Sequence, residues 1–416
     1  MNLLLKNVLV NDPASAHNGQ QKDVLIRQGV IATIGSGLEP DATSETIEAA
    51  GMVVSPGWFD MRVNFGEPGE EQKCTIRQGQ QAAADAGFTG VLLMPSTVPA
   101  LNTGADISFV KSKASGHFVQ VFPAGTLTDS REGKDMAGMY DMLLSGAVAF
   151  TDHKRALQNT GLMLRVLQYA ANIGARVIAY ADDAGLTAGL QANESPVTTM
   201  LGMKGMPAIA EAIAITRDLQ LVEYSGLALH ISGVSTQAAV EAIRAAKAKG
   251  LPVTCEAYIY HLLLDDSCLN TFDSHYKVKP PLRSPEDVRA MQEAVIDGTI
   301  DVVCSDHQPE DTESKALEFD YARFGMLGME TFYSLWREAF ADRISHQRMY
   351  EVLVKNPRSI LGLPVPVLKE GGTADFTLYA PACVWTLLAE GIHSTAKNTP
   401  FLNRQLTGRV IRSGRG

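Results

Sequence analysis

Cysteine is scarce in this chain of 416 residues. Cys74, Cys255, Cys268, Cys304 and Cys383 are scattered with no close pair. An odd, dispersed set of this kind suits a reducing cytoplasm, and the cytoplasm is the expected location. No apolar run is long enough to cross a bilayer. The opening Met1-Asn2-Leu3-Leu4-Leu5-Lys6 reads as a short strand, because no small-residue cleavage site follows it. No Lys/Arg cluster relieves the formal net charge of -10, which argues against nucleic acid and anionic membrane as partners. The chain contains neither a Walker A loop nor a Gly-x-Gly-x-x-Gly turn after a strand. No long polar tract interrupts it. Apolar residues make up 45% and charged residues 20%, the balance of a globular enzyme-like protein.

What is present is a repeated pattern. Short β-branched or apolar runs at 53–63, 90–94, 119–122, 147–150, 176–179, 227–231, 253–256 and 300–304 end in polar or small residues. Helix-like stretches separate them. Residues 74–86 are rich in Ala and Gln and stop at Gly87; 236–249 open on a capping Thr236 and close at Gly250; 285–297 follow Ser284, a good N-cap. Eight parallel strands with crossover helices predict an α/β fold, a (β/α)8 TIM barrel, with a doubly wound open sheet as the rival. The ends alternate apolar and polar residues around hairpin-like turns. The economical division is a small β-sandwich domain formed by both termini, 1–52 and 366–416, around a barrel of 53–365.

In such a barrel the chemistry belongs at the C-terminal strand ends. The nine histidines include no His-x-His or His-x-x-x-His pair. A hydrolytic zinc site needs several imidazoles or carboxylates converging with a water. His230 lies inside a strand and reads as buried and hydrogen-bonded rather than ligating. A replacement site from Asp152, His153, Asp306 and His307 stays open on residue type alone. Ser235 and Ser305 have no neighbouring His–Asp pair that would make a triad, and Cys304 reads as core.

At the first strand a family becomes recognisable. Ser55-Pro56-Gly57-Trp58-Phe59-Asp60-Met61-Arg62-Val63-Asn64-Phe65-Gly66-Glu67-Pro68-Gly69 resembles the dihydroorotase signature P-G-x-x-D-x-H-V-H-x-R-E-P-G. Met94-Pro95-Ser96-Thr97 resembles M-P-N-T, and Gly146-Ala147-Val148-Ala149-Phe150-Thr151-Asp152 resembles G-A-V-A-F-S-D. Leu229-His230-Ile231-Ser232-Gly233-Val234-Ser235-Thr236 resembles L-H-x-x-H-V-S-T, and Lys277-Val278-Lys279-Pro280-Pro281-Leu282-Arg283 resembles K-V-N-P-P-L-R. Asp301-Val302-Val303-Cys304-Ser305-Asp306-His307-Gln308-Pro309 resembles the family's strand-eight end. Phe324-Gly325, Glu330-Thr331, Asn356-Pro357 and Gly372-Thr373-Ala374-Asp375 also fit.

The resemblance implies a cyclic amidohydrolase whose strand-end histidines and acids hold one or two zinc ions, with a strand-eight aspartate moving the proton. Here the positions of those histidines carry Arg62, Asn64, Tyr180 and Gly233. Asp306 remains as a vestigial acid/base, and Asp152 is the second residual acid. The substrate-gripping positions Ser96 and Lys279 are altered, Gly66 stands where the family has Arg, and Arg283 is kept. Arg62 is a permanent cation without a lone pair to offer, and Gly233 has no side chain. No cofactor is therefore expected, zinc entering only with a replacement site. The expectation is that Arg62 or Lys279 fills the metal space and pairs with Asp306 or Asp152.

Three functions follow from the resemblance. The leading one is a non-catalytic subunit like those that partner aspartate transcarbamoylase in pyrimidine biosynthesis, in a homo- or hetero-oligomer. The second is a working dihydroorotase-type hydrolase with an atypical metal site. The third is a metal-free regulatory barrel gripping a carboxylate with Arg62, Lys279 and Arg283, against the plainer reading that Arg283 caps a loop and Lys279 is solvated.

Overall fold

A computed structural model describes all 416 residues. The barrel strands are Trp58–Val63, Phe88–Leu93, Gln120–Gly125, Ala149–Phe150, Ile178–Tyr180, Leu229–Ser232, Val253–Tyr258 and Val302–Cys304. They pair in parallel as two groups of four. Parallel bridges Phe150–Val177 and Val63–His307 join the groups, which closes the barrel and removes the open-sheet rival. The expected helices form where their caps are. Thr75 caps Ile76–Asp85 with a reciprocal Gln78 bond, Thr236 caps Gln237–Ala248, and Ser284 caps Pro285–Asp297 with Asp287.

The first apolar run is divided. Val53–Pro56 belongs to the terminal sheet, pairing with Leu9–Val10 on one side and Phe376–Tyr379 on the other. Gly57 then turns the chain into the barrel where Thr89 and Asp375 pass so close that a Cβ would lie 2.1 Å from each. Only glycine allows that approach.

The termini together form one seven-stranded mixed sheet. Its strands are Leu3–Val10, Gln21–Arg27, Val30–Gly35, Glu45–Glu48, Val53–Pro56, Asp375–Thr386 and Gln405–Arg415. Leu3, Leu5, Val24 and Ile26 from the N-terminal part share a buried cluster with Phe376 and Leu378 from the C-terminal part. Neither end covers its apolar face alone, so both must be present for the sheet to have an interior.

Trp58 joins the two units. It is 1% exposed. Its ring meets Tyr379 at 5.3 Å, Tyr333 at 5.6 Å and Phe88 at 6.2 Å between centroids. Its Nε1 donates to Ser55 Oγ at 2.9 Å. Trp58→Ala should cost about 3–5 kcal/mol, read as a lowered urea midpoint; an unchanged midpoint would mean the two units do not depend on this contact.

Candidate functional site

Alternate residues of a barrel strand point inward. On the first strand this brings Asp60 and Arg62 to the interior. The Arg62 side chain is 0% exposed. Its Nε donates to Glu256 Oε1 at 2.7 Å, and its Nη2 donates to Ser232 Oγ. Its guanidinium carbon stands 5.4 Å from the centre of the Tyr258 ring. The other Glu256 oxygen faces His230 Nε2 at 3.2 Å, and His230 Nδ1 bonds Thr254 Oγ1 at 2.8 Å. His230 is thus held on both ring nitrogens. Burial would raise the Glu256 carboxyl, but the Arg62 charge and the His230 bond outweigh it and hold it at about 2.

Nearer the strand ends sits a second ion pair. Asp306 Oδ2 accepts from Lys154 Nζ at 2.6 Å and from the Tyr260 hydroxyl. Lys154 also donates to Gln308 Oε1 at 2.8 Å. Burial pushes the Asp306 carboxyl up, against the pull of Lys154 and Arg62. Burial also lowers the Lys154 ammonium against Asp306. Asp306 at φ 48° and His153 at φ 57° both occupy the left-handed region, a cost borne where two strands deliver polar groups to one place.

The expected pairing is therefore corrected. Lys154 meets Asp306, while Arg62 is committed to Glu256, a fully buried carboxylate that requires a counter-charge. Lys279 pairs with Asp182 at 2.7 Å. Asp152 accepts from Leu127 N at 2.9 Å, Thr128 N at 3.1 Å and Thr128 Oγ1 at 2.5 Å, and the cation near it is Arg131, not Arg62 or Lys279.

The remaining sequence-derived positions are also accounted for. Ser96 Oγ donates to Asn64 Oδ1 at 2.7 Å. Gly233 has φ +69°, and a Cβ on it would stand 2.7 Å from Tyr258 Oη and 3.3 Å from Tyr180 Cε2. Tyrosine rings thus occupy the space into which a side chain at 233 would project. Arg283 is 4% exposed and spends its donors on Ser235 Oγ at 3.0 Å, Asn193 Oδ1 at 3.0 Å and Glu211 Oε2 at 3.2 Å. Arg62, Lys279 and Arg283 each face a carboxylate of the chain itself and do not form a common grip. Arg283 braces the strand-six end rather than capping a loop, and Lys279 is paired rather than solvated.

A zinc ion is the group the resemblance implies, and the donors here do not fit one. No three His, Cys, Asp or Glu side chains converge as a metal ion requires. The replacement set is not assembled. His307 turns toward Ser394 Oγ at 3.3 Å and Glu330 Oε2 at 3.6 Å, Asp152 is used by Thr128 and Leu127, and Asp306 is held by Lys154. Arg62 Nη1, His153 Nε2 and Asp306 Oδ1 are buried without a protein partner. One of the three is a guanidinium nitrogen, which offers no lone pair to a metal.

Glu256, Lys154, Tyr258 and Tyr260 went without a role in the sequence reading. A signal existed for Glu256, a charge within an otherwise apolar strand, and for Lys154, directly after Asp152-His153. Nothing in sequence spacing pairs either with its partner across the barrel.

The closed parallel barrel with a terminal β-sheet is the fold of known hydantoinase structures. L-hydantoinase (dihydropyrimidinase) from Arthrobacter aurescens superposes with TM-score 0.85 over 100% of this chain and 94% of its own, at 23% identity. D-hydantoinase from Thermus sp. does so with TM-score 0.80 over 98% and 93%, at 24% identity. At that identity the likeness shows the fold alone. Sequence goes further. The dihydroorotase of Pelotomaculum thermopropionicum is 42% identical over 98% of this chain and 96% of its own, and that of Geotalea daltonii is 38% identical over the same shares. The family model described as Dihydro-orotase-like matches residues 51–239. The chain belongs to the dihydroorotase family.

Two measurements check this account. Glu256→Gln leaves the Arg62 guanidinium buried without its carboxylate and should cost about 3–5 kcal/mol. Adding Arg62→Met should restore much of that loss, and a double variant as unstable as the single one would deny the pair its role. The second concerns pH. Burial pushes the Glu330 carboxyl from an ordinary 4.5 up to about 7. Between those values the folded chain keeps a proton that the unfolded chain has released, so stability falls as pH rises through this window. Glu330→Gln should make the slope of urea midpoint against pH shallower there. Asp60, also raised to about 7 by burial, retains the remainder.

Proposed function

We propose that this chain is a dihydroorotase homologue of de novo pyrimidine biosynthesis that does not hydrolyse the cyclic amide and acts as a structural partner of aspartate transcarbamoylase. The observation that carries the first half is the Arg62 guanidinium, fully buried and paired with Glu256 where a metal-binding imidazole would stand. A cation at that place repels a second cation and donates no lone pair. Lys154 also bears on the proton shuttle, because one of the two Asp306 oxygens, Oδ2, is already taken by an ammonium and a tyrosine hydroxyl. Support for the partner comes from the resemblance to non-catalytic subunits of that kind. A barrel keeps its packed interior when its strand-end chemistry changes, so a scaffold role is physically available to it.

The test is dihydroorotate hydrolysis by the purified chain with excess zinc. No turnover above buffer is expected. Turnover at an ordinary enzyme rate, lost in Asp306→Ala, would overturn the reading in favour of a working hydrolase, which is what the names of the relatives suggest. The partnership is read separately. The chain should co-migrate with the aspartate transcarbamoylase of the same organism on size exclusion, and separate elution at micromolar concentrations would sink that half alone.

A further inference from the structure

At the end of the barrel opposite the ion pairs lies a cavity of about 230 Å³. It opens at the starts of the first three strands, between the barrel and the terminal sheet, and residues 363–367 pass over it as a strap. Phe59 and Phe122 form its aromatic wall, ring centroids 5.6 Å apart. Its polar side is unusual for a chain of net charge -10. Arg358, Arg415 and Lys369 line it against a single carboxylate, Asp375.

Arg358 makes the case. It is 5% exposed, and no carboxylate of the chain comes within the 4.0 Å of an ion pair. Its guanidinium lies over the Phe59 ring at 5.4 Å. Its hydrogen bonds go to neutral acceptors, Thr89 Oγ1 at 3.3 Å and Val354 O at 3.2 Å. Asp375 acts on it only through space, without an ion-pair contact. One Asp375 oxygen accepts from Thr89 at 2.6 Å, and the other faces Arg415 Nε at 3.7 Å. Burial brings the guanidinium down to about 10, the sign of a charge left short of a counter-ion. Burying an unpaired cation is costly, and an anion placed beside it would offset that cost. Asp375 is the one Asp or Glu among the residues that line the cavity.

We propose that this cavity binds a small organic anion. A single carboxylate or phosphate group would be held by Arg358 and Arg415, with a flat or apolar body against Phe59, Phe122 and the strap. The planar guanidinium fork matches either oxyanion, and the aromatic wall selects for a compact ring. Arg358 belongs to the barrel helix Asn356–Leu361, whereas Asp375 and Arg415 belong to the terminal sheet. The ligand would therefore tie the two units together and stabilise the folded chain by an amount that grows with the logarithm of its concentration. The site is independent of the strand-end ion pairs, so its fate does not depend on whether the chain hydrolyses dihydroorotate.

The experiment is calorimetric titration of the full chain with benzoate and, separately, with inorganic phosphate. One site per chain is expected for at least one of them, with a melting temperature that climbs with its concentration. Binding of benzoate alone supports a carboxylate on a ring, and binding of phosphate alone supports a phosphate group. Arg358→Gln should abolish binding. Should that buried variant fail to fold, Arg415→Gln, whose side chain is a third exposed, should weaken it by about tenfold or more, with Arg415→Lys retaining part. No binding of either anion at millimolar concentration overturns the proposal. So does binding that Arg415→Gln leaves unchanged.

Discussion

The ion pair of Arg62 and Glu256 sets the terms for the interior of this barrel. Both side chains are fully buried, and neither could stay charged there without the other. Because the pair spans the interior from strand one to strand seven, its neighbours must be polar and must be spent on it. Ser232 takes a guanidinium nitrogen, His230 takes the second carboxylate oxygen, and Cys304 Sγ donates to the same oxygen at 3.2 Å. Tyr258 covers the guanidinium with its ring. The interior around the pair is thus a closed set of polar groups bonded mainly to one another, with Arg62 Nη1 left without a protein partner. Lys154 and Asp306 stand above it as a second pair of the same kind.

Much of the architecture is legible in the amino-acid sequence. The eight runs, the caps at Thr236 and Ser284, and the building of one small β-domain from both termini follow from periodicity and turn chemistry, which are local properties. The division at Gly57 was not legible, because it depends on how closely Thr89 and Asp375 approach, one of them more than 300 residues away in sequence. The same limit governed the site. The residues at 62, 64, 180 and 233 could be read from the motif and raised the question of what replaces a metal. Which cation meets which carboxylate could not be read, since Arg62 and Glu256 are 194 residues apart and Lys154 and Asp306 are 152 apart.

Arg283 shows how a retained motif residue can mislead. Its identity agrees with the family pattern, which suggested a ligand contact. In the structure each of its three nitrogens donates to one of Ser235, Asn193 and Glu211, and they fix the strand-six end instead. Burial separates the two roles, and burial is a property of the fold that the motif does not carry.

Gly233 has a consequence for the history open to this chain. A histidine placed there would have to adopt a left-handed backbone and would collide with the Tyr258 hydroxyl. A histidine placed at 62 would strand Glu256 without its cation. A side chain at 233 thus requires Tyr258 to give way, and a neutral residue at 62 requires Glu256 to change with it.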